Sequence, residues 1–129
     1  MSLNGTQLAT DDSYEEIAAT YQCLLIDHLK QVLIENGVSN RDLRRQICQS
    51  FAFHQGVFDD QFWFEAEGKR WFPLLGFTQT SPSPVLRTEH LGRVQLRSEA
   101  FEFHEYAHGN ADWYFDEHNE DASEINTGN

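Results

Sequence analysis

The hydrophobic period of this chain changes at Gly56. Before it, apolar side chains recur every three or four residues. After it they alternate, as in Gln61-Phe62-Trp63-Phe64-Glu65-Ala66-Glu67. The first spacing loads one face of a helix and the second one face of a strand, so the pattern predicts helices first and strands after.

The helical half is punctuated at both ends. Ser13 with Glu16 three residues later forms a capping box. Ile17, Tyr21, Leu24, Leu25, His28, Leu29, Val32 and Leu33 then make an apolar stripe that closes at Asn36-Gly37. Ser39 opens a second helix, with Leu43, Ile47, Phe51 and His54 on one face and Gly56 as its stop. His28 and His54, on or near these apolar faces, read as packed residues rather than ligands. A connection this short predicts a helical hairpin or a corner.

The alternating half begins with a strand over residues 61–67, a Gly68-Lys69 turn and a second strand over residues 70–75. That turn would set Glu67 opposite Arg70, Ala66 opposite Trp71 and Phe62 opposite Leu75. Both faces of this hairpin are apolar, which predicts cover on both sides, and Pro73 marks an edge strand. Thr78 to Pro84 is a turn-rich connector, and Val94 and Leu96 suggest a short strand after Gly92. Arg87, Arg93 and Arg97 make the only basic neighbourhood of the second half, placed to pair with the acidic segment after it.

Phe101 to His118, FEFHEYAHGNADWYFDEH, admits two structures. As a hairpin turning at His108-Gly109-Asn110, it puts Phe101, Phe103, Trp113 and Phe115 on one face. Glu102, His104, Tyr106, Asp112, Tyr114 and Asp116 then occupy the other. As a helix, it stacks His104 and His108 one turn apart with Glu105 between them. The segment His104-Glu105-Tyr106-Ala107-His108 resembles the H-E-x-x-H zinc helix of the zincin metallopeptidases. The resemblance implies zinc held by His104 and His108, Glu105 as general base, and a third ligand from His118, Asp116 or Glu120. On a strand the two histidines would stand about 13 Å apart and could not share a metal. The alternation, together with Glu102 before the motif and Gly109-Asn110 after it, favours the hairpin. Its polar face would still gather Glu102, His104, Asp116 and His118 as possible ligands for a divalent cation.

Charge narrows the function classes. The net charge is −12, and from Glu99 onward there are nine acidic residues with no Lys or Arg. Such a field disfavours direct nucleic-acid or anionic-membrane binding and favours a basic protein surface. Cys23 and Cys48 read as two buried reduced thiols, and no apolar run reaches membrane-spanning length, which together predict a cytoplasmic protein.

The expected architecture is α+β: an N-terminal helical hairpin packed on an antiparallel sheet of about four or five strands. Residues 1–12 would form a flexible arm, 13–118 a single domain and 119–129 an acidic disordered tail. The expected function is that of a small interaction protein of inhibitor, immunity, chaperone or nucleic-acid-mimic type. It would bind a basic partner through Glu102, Tyr106, Asp112, Tyr114 and Asp116 on the closing hairpin, without a cofactor. The alternative is the zinc-dependent hydrolase on His104, Glu105, His108 and His118. Exposed aromatic surface around the Pro73 edge adds homodimerisation as a secondary expectation.

Overall fold

The computed structural model of the protein describes residues 5–97 and 101–116. The chain is mixed α and β, with three α-helices, a three-stranded sheet and a two-stranded one among the described residues. The described residues divide into two compact units, one made of residues 5–17, 74–97 and 101, the other of residues 18–73 and 102–116.

The first unit is built on a mixed sheet. Strand β1 (Thr6–Ala9) lies parallel to β5 (Gly92–Gln95), and β4 (Phe77–Thr78) lies antiparallel to the other edge of β5. Residues 6–9 are therefore strand, where the polar composition suggested a loose arm. The pairing supplies backbone partners that a polar segment lacks on its own. A Cβ at Gly5 would overlap the Glu89 carbonyl, so only glycine lets β1 enter here. The first turn of helix α1 (Ser13–Glu35) also belongs to this unit. Its Tyr14 is buried against Phe77 and Phe101 and donates its hydroxyl to the Leu75 carbonyl at 2.8 Å. Within this unit Arg93 takes Asp11 as a carboxylate partner.

The second unit is a helical trio made by the rest of α1 with α2 (Arg41–Gln61) and α3 (Phe103–Phe115). Its core gathers Ile26 of α1, Cys48 and Ala52 of α2, and Ala107, Ala111, Tyr114 and Phe115 of α3. Small residues let α2 and α3 approach closely. Cys48, Ala52 and Gly56 follow one another at four-residue spacing, and all three are buried. A Cβ on Gly56 would stand 2.5 Å from the His104 backbone nitrogen. Gly56 therefore lies inside α2 as the contact point for α3, rather than ending the helix. The N-cap of α2 is Asn40, which accepts from the Leu43 N–H at 2.9 Å, in place of Ser39.

The buried face of α1 is rotated from its apolar stripe. Tyr14, Ala18, Gln22, Ile26, Asp27 and Lys30 are the buried residues, whereas Ile17, Leu24, Val32 and His28 are exposed. His54 is exposed as well. The polar side chains on that face are retained because α3 supplies partners. Gln22 donates to the Phe103 carbonyl at 3.1 Å and accepts from Asn110 Nδ2 at 2.6 Å. Tyr114 donates its hydroxyl to Asp27, and Lys30 Nζ stands 5.5 Å from the centre of the Tyr114 ring.

Residues 103–115 are thus helix, and the expected closing hairpin is not formed. Phe103, Ala107, Ala111, Tyr114 and Phe115 are spaced for one helical face, and that face is buried. The expected antiparallel sheet of four or five strands gives way to the mixed three-stranded sheet and a separate hairpin.

That hairpin pairs β2 (Phe64–Ala66) with β3 (Lys69–Trp71), in a register that differs from the expected one. Phe64 faces Trp71, Glu65 faces Arg70 and Ala66 faces Lys69. The turn is Glu67-Gly68, with φ of 53° and 72°, and positive φ at both positions is the two-residue geometry that matches strand twist. Trp71 Nε1 donates to the Ala66 carbonyl at 2.9 Å and holds this register. Every residue of both strands is exposed, so the apolar faces expected to be covered are open. His118 and the acidic tail at 119–129 lie outside the described residues.

Candidate functional site

The beginning of α3 brings together the most concentrated polar chemistry in the second unit. Glu102, its N-cap residue, makes no side-chain capping bond. The cap comes from another helix. Asp60, in the last turn of α2, accepts from the Phe103 and His104 backbone N–H groups at 2.8 Å each. Its Oδ2 also lies 2.6 Å from His104 Nδ1. The Asp60 side chain is 1% exposed. An anion placed on two unsatisfied amides at a helix N-terminus is stabilised by both the hydrogen bonds and the helix dipole.

The opposite end of α3 is held by the opposite end of α2. Arg41, in the first turn of α2, donates to the Phe115 carbonyl, and its guanidinium stands 5.8 Å from the centre of the Phe115 ring. A carboxylate therefore meets the positive end of the α3 dipole and a guanidinium meets the negative end. Both are supplied by a helix that runs antiparallel to it.

His104 is the chemically versatile member of this group. With Nδ1–H donated to Asp60, its Nε2 carries a lone pair, the state suited to a proton acceptor or a metal ligand. Glu102 Oε2 stands 3.5 Å from His104 Nδ1. One ligand atom each from Asp60, Glu102 and His104 lie within 4.8 Å of one another. His104 Nδ1 and Asp60 Oδ2 are, however, already engaged with each other, so a cation between them would have to displace that proton.

The helix also bears on the motif residues. His104 and His108 project toward the same neighbour, Phe53 of α2, with ring centroids 5.9 and 5.7 Å from it. The His54 ring also lies 5.7 Å from the Phe53 ring. Glu105 and His108 are exposed. Among the described residues, no set of three ligand atoms within 4.8 Å includes both His104 and His108.

The residues expected to bind a partner are scattered by the helix. Tyr114 is fully buried with its hydroxyl on Asp27, which removes it from any binding surface. Tyr106 is half-buried. Asp112 is exposed and pairs with Arg45, with Gln49 Nε2 at 3.4 Å. Asp116 is exposed at the C-cap, and Glu102 is partly exposed beside His104. Glu105, Asp112, Trp113 and Asp116 share the outward side of α3, with Trp113 54% exposed. Sequence reasoning missed Asp60 entirely. The one available signal was an acid shortly after a helical run, and it is hidden once Gly56 is read as the stop of that helix.

The first unit holds a cavity of about 400 Å³ lined by Ser13, Ile17, Phe77, Thr78, Gln79, Arg93 and Gln95. Its charged group is committed within the wall. Arg93 pairs with Asp11, whose carboxyl the Ser13 backbone N–H, and then Arg93 itself, hold below the usual carboxylate range.

No protein-family model, curated protein or solved structure gives a significant match to the chain. Among the described residues, no helix is long and apolar enough to cross a membrane.

Proposed function

We propose that this protein is a small acidic interaction protein, and that the outward side of α3 receives a partner with a basic surface. The supporting observation is that α3 buries its aromatic face and presents Glu105, Asp112 and Asp116 around the exposed Trp113, with no Lys or Arg in the helix. An exposed indole on a helix side that carries carboxylates suits a cationic surface, because the ring face attracts Lys or Arg and the carboxylates steer it in. Arg45 beside Asp112 shows within the chain the type of contact a partner guanidinium would make.

The test is association with a lysine- and arginine-rich peptide at rising ionic strength. Affinity should fall steeply with salt and drop about tenfold or more in Trp113→Ala with Asp116→Asn, consistent with a buried aromatic anchor. Binding indifferent to both salt and these substitutions would defeat the reading.

A second reading follows from the helix itself. One helical turn separates His104 from His108, and Asp60 orients the His104 ring as an outer-shell carboxylate orients a zinc-bound histidine. On this reading His104 and His108 hold zinc, Glu105 serves the bound water and His118 completes the set. Metal analysis of freshly purified protein separates the two readings. Stoichiometric zinc lost in His108→Ala supports the hydrolase, and metal-free protein that still binds the cationic peptide supports the interaction protein.

A further inference from the structure

We propose that a second copy of this chain extends the β2–β3 hairpin, pairing strand β2 against its own counterpart across a twofold axis. The hairpin and its base expose Phe58, Phe62, Trp63, Phe64, Trp71 and Phe72 at 39–62% each. Phe64 and Trp71 lie on one face of the hairpin and Trp63 and Phe72 on the other, so an edge-to-edge seam covers only the parts of these rings that flank β2, and the backbone hydrogen bonds of the seam carry the pairing. A lone two-stranded hairpin is marginal in water, and two of them joined edge to edge make a four-stranded sheet.

The register identifies the edge. The Glu67-Gly68 turn makes Ala66 and Lys69 the closing hydrogen-bonded pair, so Glu65 and Arg70 form the next, non-bonded pair. The backbone N–H and C=O of Glu65 therefore point to the outer edge of β2. That edge reads Phe64-Glu65-Ala66, and a twofold axis at Phe64 sets Phe64 beside its copy and Glu65 opposite Trp63. The outer edge of β3 is unsuited, because Lys69 and Arg70 would face like charges and Pro73 follows.

Electrostatics agrees with this choice of surface. Two copies at −12 each repel, but the segment 61–74 carries two acids and two bases and is neutral. Arg70 further lies over the Trp63 ring at 4.0 Å, which withdraws its charge onto an aromatic face. The neutral aromatic hairpin is where two like-charged copies can meet.

Sedimentation velocity of the full chain tests this. A dimer should form and strengthen with added salt, the reverse of the salt response expected for the basic partner on α3. Glu65→Pro removes the seam N–H without touching a β2–β3 bond and should weaken the dimer at least about tenfold. Phe64→Ser with Trp71→Ser should do the same through exposed side chains, with far-UV circular dichroism unchanged. A monomer at every ionic strength overturns the proposal, as does a dimer insensitive to both variants. A monomer that still binds the cationic peptide leaves the α3 reading standing, and a dimer that ignores the peptide does the reverse.

Discussion

Helix α3 and the β2–β3 hairpin are both rich in aromatic residues, and they dispose of them in opposite ways. Phe103, Tyr114 and Phe115 are at most 2% exposed, whereas Trp63, Phe64, Trp71 and Phe72 are 42–62% exposed. Spacing explains the difference. In α3 the apolar residues fall on one helical face, so a single layer, formed by α1 and α2, covers them. In the hairpin, alternation sends Phe64 and Trp71 to one face and Trp63 and Phe72 to the other, and covering both takes two layers. Aromatic content sets how much surface can be buried; period sets whether one layer suffices.

If α3 is secured at its ends by α2, the largest loss should come from the N-terminal clasp. Asp60→Ala leaves two helix amides and His104 without their acceptor. It should cost about 3 kcal/mol, from a lost cap together with unsatisfied buried donors. Asp60→Asn should recover part of this, and urea unfolding of both variants gives the values. A loss under about 0.5 kcal/mol for the alanine variant, the scale of an ordinary surface substitution, would show that α3 is held by packing alone. The glycines offer the next step down. Gly56→Ala drives a Cβ into the His104 backbone and should cost about 2 kcal/mol by overpacking. Gly109→Ala, inside α3 with open space around it, should instead stabilise by about 0.5–1 kcal/mol. Opposite signs from the same substitution in two contacting helices would be hard to obtain by any other packing.

This clasp also marks the limit of what the sequence disclosed. The α1 boundaries, with Gly37 at φ 87°, and the short strand after Gly92 were legible because their signals are local. The end of α2 was misread because Gly56 serves a tertiary contact rather than a stop. Residues 103–115 were misread for the same kind of reason. Their cap at Asp60 and their C-terminal guanidinium at Arg41 are 43 and 74 residues away in the chain. Without those partners, Glu102 and Asp116 look like poor helix ends, and the local alternation of Phe101, Phe103, Trp113 and Phe115 prevails. The buried face of α1 was hidden in the same way, because Gln22, Asp27 and Lys30 look like solvent-facing residues until Tyr114 and Asn110 are placed beside them. The H-E-x-x-H segment was visible as a motif, but its carboxylate partner Asp60 was not.

A smaller effect distinguishes the helical trio by pH. Burial pushes the Cys23 thiol up from 9.0 to about 11. The folded chain then keeps a proton that the unfolded chain releases. Its contribution to stability is present below pH 9 and is lost as pH rises toward 11. Cys23→Ser should flatten the stability profile in that window, and at neutral pH iodoacetamide should modify native Cys23 much more slowly than the unfolded chain. Equal alkylation rates in the two states would mean that this side of α1 is open to solvent.

The smallest effect on the folded monomer is expected in the hairpin, and it is the sharpest check on the contrast. Substituting a buried aromatic such as Phe115 by alanine should cost about 3–5 kcal/mol. Phe64→Ser has far less such surface to lose, since Phe64 is 46% exposed and every residue of its strand pair is exposed. The register would still be held by the Glu67-Gly68 turn and the Trp71–Ala66 bond. Measured at dilution, where only monomer is present, the change should stay within about 0.5 kcal/mol. Measured at high concentration, Phe64→Ser should lower Tm, because the wild-type dimer is stabilised by mass action and the variant dimer less so. A large loss at dilution would place the hairpin aromatics in the monomer core, and the distinction between the two aromatic elements would collapse. A small loss at dilution that grows with concentration assigns those side chains to association rather than to folding.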